Sequence, residues 1–151
     1  MSSRAAVKTA PPKAPPTEAP DAAPPLALLI IDDDPVHRMV IGKVGEKAGF
    51  AVTTAGTVED AAMKISEQKY HCISLDIALN GHSGNQVLRG IARSNGDVLL
   101  LVVSSAAAEV REETVESARN LRLKVIEIPK PVDLPQLRTW LVKHAALARA
   151  S

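Results

Sequence analysis

Four aspartates are placed where they could do chemistry. Three of them, Asp32, Asp33 and Asp34, stand side by side after the apolar run LALLII. The fourth, Asp76, ends the run YHCISLD. Adjacent carboxylates repel one another, so such a group is expected only where it holds a cation, shares a proton or caps a helix. A divalent cation such as Mg²⁺ binds carboxylate oxygens and offsets their repulsion, and an aspartate can also attack phosphorus.

Two further kinds of polar side chain follow apolar runs. Ser104 and Ser105 end the run VLLLVVSS, and Lys130 follows LKVIEI between two prolines. An ammonium and a hydroxyl are donors that suit the oxygens of a phosphoryl group. Carboxylates, a hydroxyl and an ammonium would therefore make a site for phosphoryl chemistry, provided that the fold brings them together.

The elements that must position these residues alternate along the chain. Five apolar runs predict β-strands: LALLII, FAVTTA, YHCISLD, VLLLVVSS and LKVIEI. Segments with helical spacing of apolar residues separate the strands and follow the last one. Strands that alternate with helices predict a parallel sheet with helices on both faces. Since the carboxyl ends of parallel strands open onto one edge, we expect the polar residues to share a pocket there.

The first helix has the clearest boundary signals. Asp34 is a predicted N-cap, and Pro35 suits the first helical position. The apolar residues at helical spacing are Val36, Val40, Val44 and Ala48. Gly42 and Gly45 lie inside this helix, where each costs about 1 kcal/mol relative to Ala. We therefore expect close packing against the sheet at these glycines. For the last helix, the predicted buried residues are Leu134, Leu137, Leu141 and Ala145.

Composition limits the classes of function. Residues 1–25 contain most of the eleven prolines and few large apolar residues, which predicts a disordered Pro/Ala-rich tail before one folded domain at 26–151.

A net charge of +1, with both signs scattered, argues against nucleic acid as a partner. No apolar run approaches the roughly 18 residues of a membrane span. The single cysteine, Cys72, suits a reducing compartment, so a cytoplasmic location is expected.

Taken together, four segments resemble the receiver domain of two-component response regulators. They are LLIIDDDP, ISLDIALNGHSGNQVL, LLLVVSSA and IPKPVDLPQL, and the resemblance extends from Leu26 to about Ala148. It implies a flavodoxin-like α/β fold, (βα)5, with three layers and a five-stranded parallel sheet of order 2-1-3-4-5. A receiver of the stand-alone, single-domain type is the expectation.

The resemblance implies a metal site. In the family, an acidic pair after the first strand and an aspartate after the third strand hold Mg²⁺. These positions are Asp32, Asp33 and Asp76 here, with Asp33 as the more direct ligand of the pair. The backbone carbonyl of Ala78 would complete the protein's ligands.

The resemblance also implies a phosphorylation site. Asp76 would accept a phosphoryl group from a histidine kinase or a histidine phosphotransfer protein. Lys130 would bind the phosphoryl oxygens, and the Lys130–Pro131 bond is a candidate for the cis form. Ser104 would be the switch hydroxyl, with Ser105 as the alternative.

The function implied is signalling to an unidentified downstream protein through the face formed by the fourth helix, fifth strand and fifth helix. A monomer or a weak, phosphorylation-linked dimer is expected, without membrane or nucleic-acid binding. Self-phosphorylation and self-dephosphorylation would be assisted, but Ala78 stands where aspartate-nucleophile phosphohydrolases have a second aspartate, so the chain is not expected to be a turnover enzyme. Leu79-Asn80 and Glu127 depart from the usual Met-Pro and aromatic residue. They leave an alternative open: an unphosphorylated pseudo-receiver that docks constitutively.

Overall fold

The computed structural model describes residues 25–77, 84–104 and 108–150. Almost all of the predicted disordered tail lies outside the described residues, as do Ala78 and Ser105. For Ser104 the backbone is described and the side chain is not. Within the described part of the chain, no helix is both long enough and apolar enough to cross a membrane.

Strands and helices alternate through the described residues. The strands are β1 (Leu26–Ile31), β2 (Phe50–Ala55), β3 (Cys72–Asp76), β4 (Leu99–Ser104) and β5 (Lys124–Pro129). The helices are α1 (Pro35–Lys47), α2 (Val58–Glu67), α3 (Gly84–Ser94), α4 (Ala108–Asn120) and α5 (Leu134–Ala150). The predicted order of elements is confirmed, and the boundaries differ from the sequence predictions by a few residues.

The five strands form one parallel sheet in the order β2-β1-β3-β4-β5, which confirms the flavodoxin-like topology. Ile31 at the end of β1 pairs with Leu75 of β3. Asp76 pairs with Val103 of β4, whose last residue, Ser104, pairs with Pro129. This register brings the carboxyl ends of β1, β3, β4 and β5 to one edge of the sheet, which we call the carboxyl edge.

Apolar side chains cover both faces of the sheet and hold its strands in place. Leu29 and Ile31 of β1 pack into one cluster with residues of α2, α3 and α4. Leu28 and Ile30 point to the other side and pack with residues of α1 and α5. All four side chains are fully buried, and burial of each contributes about 1.5–3 kcal/mol. The result is the predicted three-layer arrangement.

Helix α1 begins as predicted, but only the later part of its predicted apolar row, Val44 and Ala48, packs against the core. The Asp34 carboxylate accepts hydrogen bonds from the backbone N–H groups of Val36 and His37. Val36, predicted to lie on the apolar face, is 62% exposed. The residues of α1 that are buried are Ile41, Gly42 and Gly45. A row of residues four apart drifts around a helix by about 40° at each step, so the row that starts at Val36 reaches the sheet only in the second half of the helix.

Gly45 is the point of closest approach between α1 and the sheet. A Cβ atom added there would lie 2.5 Å from Leu28 Cδ2 and 3.2 Å from Val52 Cγ2. At Gly42 the nearest atom would be Val52 Cγ1 at 3.5 Å, an ordinary van der Waals contact. Close packing is therefore confirmed at Gly45, while Gly42 has room for a methyl group.

The last helix, α5, confirms most of its predicted buried face. Leu137, Leu141 and Ala145 are buried against the sheet. Leu134 is exposed, contrary to the prediction, because it is the first residue of the helix and the buried face is set by the later turns.

His71 extends the pairing of β1 and β3 at the opposite edge, where the strands begin. Its backbone N–H donates to the carbonyl of Ala27 at 2.8 Å, and its Nδ1 accepts from the backbone N–H of Ala27 at 3.0 Å. An Nδ1 atom that accepts must be unprotonated, so the neutral ring carries its proton on Nε2. Partial burial lowers the pKa of His71, and the nearby His144 and Arg149 lower it further.

We predict opposite effects of alanine at the two glycines of α1. Alanine at either position gains about 1 kcal/mol of helix preference. Gly45→Ala also forces a methyl group against the buried Leu28, so we expect the free energy of unfolding to fall by about 1–2 kcal/mol. Gly42→Ala should leave it unchanged or raise it by up to about 1 kcal/mol. Urea unfolding followed by circular dichroism measures both, and equal effects would contradict the packing described.

We predict that His71 makes stability depend on pH. The ring binds a proton more weakly in the folded chain than in the unfolded chain, whose reference pKa is about 6.5. Its stabilising contribution is thus present above that value and is lost as the pH falls toward the lower folded pKa. His71→Asn keeps an acceptor that does not titrate, so its unfolding free energy should fall less between about pH 7.5 and 5.5. Parallel losses in both proteins would exclude His71 as the source.

Candidate functional site

Three carboxylates converge at the carboxyl edge. Asp32, Asp33 and Asp76 each place an oxygen within 4.8 Å of the others. Backbone hydrogen bonds fix two of the positions: the N–H of Asp32 donates to Ala55 O at 3.0 Å, and the N–H of Ile77, after Asp76, donates to a carbonyl of β4 at 3.2 Å. The sheet therefore holds the carboxylates together although their charges repel.

The chemistry of this cluster fits a hard divalent cation. Asp32 and Asp76 are buried, with 2% and 3% of their surface exposed, while Asp33 is exposed. Buried carboxylates require a compensating charge, and an open side leaves room for the water ligands that Mg²⁺ keeps. The cluster can therefore bind a metal ion through carboxylates on one side and water on the other.

Each oxygen of Asp32 already has a protein partner. The backbone N–H of Asp34 donates to Oδ1 at 2.9 Å, and His37 Nδ1 contacts Oδ2. The guanidinium of Arg38 donates to the backbone carbonyl of Asp32 at 2.7 Å. The carboxylate of Asp32 is thus held in place by the start of α1, whereas that of Asp33 faces solvent.

Sequence reasoning did not assign a role to His37 or Arg38. Both lie in the first turn of α1, and their spacing fits neither a metal motif nor an apolar face. One feature of the sequence does indicate their proximity to Asp32: the connection from β1 to α1 is short and contains only Asp32, Asp33 and Asp34. So short a loop keeps the first helical turn beside the end of the strand, where its side chains reach back to Asp32.

Lys130 lies on the other side of Asp76. Its Nζ donates to Asp76 Oδ2 at 3.1 Å, and three quarters of its side chain is buried, with 24% exposed. The Lys130–Pro131 peptide bond is cis, as the sequence suggested. The structure thus brings four of the predicted site residues together across β1, β3 and β5: Asp32, Asp33, Asp76 and Lys130.

The predicted hydroxyl can be placed only by its backbone. Ser104 is the last residue of β4, which lies between β3 and β5 in the sheet. Its backbone is therefore at the carboxyl edge, beside the acidic cluster. Ser105, the alternative, and Ala78, the predicted carbonyl ligand, lie outside the described residues.

An ion pair joins α4 to β5 near this edge. Arg111 Nε lies 3.4 Å from Glu127 Oε1, and both side chains are partly exposed. Exposed pairs of this kind contribute about 0–1 kcal/mol to stability. Glu127, one of the departures noted in the sequence, therefore takes part in a contact between two elements of the predicted signalling face.

Comparison with known proteins identifies the family. The family model described as response regulator receiver domain matches residues 28–141. The sensor protein EvgS of Escherichia coli K12 is 28% identical over 117 residues, which are 77% of this chain and 9% of EvgS. The chain thus corresponds to a small part of that relative.

Two solved structures have the same fold. A CheY-like receiver domain from Methanospirillum hungatei has a TM-score of 0.68 and 21% identity, covering 82% of this chain and 98% of that one. A response regulator from Burkholderia pseudomallei, with a phosphorylated aspartic acid, calcium ion and citrate, has a TM-score of 0.67 and 22% identity. The similarity covers 83% of this chain and 71% of the B. pseudomallei chain. Because the family model matches residues 28–141, from within β1 into α5, the chain belongs to the family of response regulator receiver domains.

Proposed function

We propose that this receiver domain signals by accepting a phosphoryl group on Asp76 from a histidine kinase or a histidine phosphotransfer protein. The observation that carries the proposal is the placement of Asp76 between a carboxylate cluster and the Lys130 ammonium. Such a carboxylate has a cation-binding group on one side and a hydrogen-bond donor on the other. These are the two needs of phosphoryl transfer.

The transfer itself requires little covalent chemistry from the protein. A carboxylate oxygen of Asp76 attacks phosphorus, the bond from phosphorus to the donor imidazole breaks, and the histidine leaves with the electron pair. The Lys130 ammonium, which pairs with Asp76 at rest, donates to a phosphoryl oxygen after transfer. Asp33 and Asp76, with support from Asp32, would hold Mg²⁺, which would supply charge that neutralises the phosphoryl oxygens.

The readout is a shift between two conformations. We assign the Ser104 hydroxyl as a hydrogen-bond donor to the added phosphoryl oxygens. Ser104 ends β4, and α4 is the next element of the chain. Repacking of α4 against β5 would change the exposed surface around the Arg111–Glu127 pair. Only contacts that exist in the phosphorylated state can bias such an equilibrium.

Several observations support this proposal over a site for turnover of outside substrates. The B. pseudomallei relative contains a phosphorylated aspartic acid and a calcium ion, and EvgS is a sensor protein. The acidic cluster and Lys130 account for phosphoryl acceptance, so we assign no further substrate. The chain has a single cysteine, Cys72, which is free and cannot form an internal disulfide, and we propose the cytoplasm as the compartment.

We predict that Asp76 is the residue phosphorylated. The chain incubated with Mg²⁺ and acetyl phosphate should gain one phosphoryl group, measured by intact mass. Asp76→Asn should abolish the gain because the amide is not a nucleophile toward phosphorus, and a chelator should abolish it in the unaltered chain. Asp97→Asn, at an exposed aspartate outside the site, is the matched control and should be phosphorylated normally.

The outcome that contradicts phosphoryl acceptance is equally definite. If the unaltered chain gains no mass and also fails to bind beryllofluoride in the presence of Mg²⁺, the proposal is wrong. The pseudo-receiver, a constitutive docking module, then becomes the working description.

We predict that Mg²⁺ stabilises the folded chain through the acidic cluster. At ten times its dissociation constant, a cation bound only by the folded state raises the free energy of unfolding by about 1.4 kcal/mol. Asp33→Asn removes the exposed ligand and should reduce this gain, while Asp97→Asn should retain it. Urea unfolding with and without Mg²⁺ at matched ionic strength measures the effect, and an undiminished gain in Asp33→Asn would refute the assignment of this ligand.

A further inference from the structure

A second concave site lies at the other edge of the sheet. A groove of about 660 Å³ is lined by residues near the starts of β3, β4 and β5 and by the later turns of α5. The proposed phosphorylation site lies at the carboxyl edge, where parallel α/β sheets usually bind ligands. It therefore does not account for a groove at the opposite edge. Its volume falls within the roughly 300–1,000 Å³ of pockets that hold small molecules.

The groove has a largely apolar lining. Leu99 is buried at the start of β4, and Ile126 of β5 is half-buried. From α5 the groove is lined by Trp140, which is half-buried, and by Leu147, which is exposed. Apolar and aromatic lining of this kind gives a ligand most of its binding free energy, because it removes the ligand's apolar surface from water.

The charged groups around the groove are mostly cationic. Three exposed lysines line it, Lys69, Lys124 and Lys143, against one exposed acidic residue, Asp97. Since the whole chain has a net charge of only +1, this is a local concentration of positive charge. The Lys143 ammonium lies 5.9 Å from the centre of the Trp140 ring, so charge and aromatic surface meet at one point.

Two imidazoles continue the same surface. His71 and His144 both line the groove, and His144 Nε2 donates to the backbone carbonyl of His71 at 3.0 Å. Burial lowers the pKa of His71, and the neighbouring His144 and Arg149 lower it further. An anion at this surface would meet favourable charge on several sides.

A buried amide in the wall lacks a hydrogen-bond partner. Asn95 Oδ1 accepts from the backbone N–H of Tyr70 at 2.6 Å. Within the described part of the chain, Asn95 Nδ2 has no acceptor, although the residue is only 4% exposed. A buried donor without a partner costs about 1–3 kcal/mol. Asn95 lines the groove, but its Nδ2 atom is closed to solvent, so the amide belongs to the wall of the groove and not to its ligand-binding surface.

We propose that this groove, between α5 and the amino ends of β3, β4 and β5, binds a small organic anion with an apolar, ring-sized body. The lysines select the negative charge, and Trp140 with its apolar neighbours selects the body. A concave shape of this volume favours a small molecule over a flat protein contact. The site is independent of Asp76 and of the proposed phosphorylation.

The test uses anilinonaphthalene sulfonate, a fluorescent anion with an aromatic body, as the probe. Trp140 is the only tryptophan in the chain, so energy transfer from tryptophan to the probe reports binding beside it. We expect saturable binding of one probe per chain of 151 residues. The uncharged parent, phenylnaphthylamine, should bind more weakly because it lacks the group that the lysines attract.

Charge-reversal variants locate the probe. Lys124→Glu and Lys143→Glu should each weaken binding by about tenfold, since reversing one charge near an anion changes the interaction by somewhat over 1 kcal/mol even in water-like surroundings. Lys43→Glu, at an exposed position on α1 outside the groove, makes the same change in net charge and should weaken binding by less than about twofold. Circular dichroism confirms that the variants are folded; all three lysines are exposed.

Three results would overturn the proposal: no saturable binding, binding without energy transfer from Trp140, or equal weakening by Lys43→Glu and the two groove variants. Each is separate from the phosphorylation assay. A chain that takes up a phosphoryl group but does not bind the probe leaves the function proposed above intact.

Discussion

The repulsion among Asp32, Asp33 and Asp76 is the constraint on which the site depends. Unit charges at 4.8 Å, the limit within which these oxygens lie, repel by about 3.5 kcal/mol at an effective dielectric constant of about 20. The backbones that carry the carboxylates are held close together, because β1 and β3 are neighbours in a parallel sheet and are joined by regular hydrogen bonds. Lys130 compensates part of the charge through its contact with Asp76. The remaining negative charge is what makes this edge able to bind a cation.

Positioning of the site begins far from the carboxylates, in the apolar layers. At Gly45 the absence of a side chain lets α1 lie directly on Leu28 and Val52. That approach sets where α1 begins, and there the backbone N–H of Asp34 and the ring of His37 contact the two oxygens of Asp32. A packing contact in the last turn of α1 therefore helps to orient a carboxylate just before its first turn, which links the stability of this layer to the geometry of the site.

Much of this arrangement could be predicted from the sequence, because it depends on periodicity and strand direction. Five apolar runs alternating with helical patterns predict a parallel sheet, and a parallel sheet brings Asp32, Asp76 and Lys130 to one edge. Strand order followed only from the resemblance to a family. The contact between His37 and Asp32 could not be predicted, since it depends on the angle at which α1 leaves a three-residue loop. The exposure of Val36 was missed because a spacing of four residues was extended over too many turns.

The net charge of the chain does not predict its binding sites, because it does not show where the charges lie. A value of +1 describes no part of the surface, because the acidic cluster lies at one edge of the sheet and the lysines of the groove lie near the other. Strand β5 connects the two: it begins at Lys124 beside the groove, and Lys130 follows its last residue beside Asp76. Averaging over the chain cancels charges at two edges that β5 separates: Lys124 and Lys130 are six residues apart, about 20 Å along an extended strand. At that distance, beyond the Debye length at physiological salt, the two edges present separate fields and can attract ligands of opposite sign.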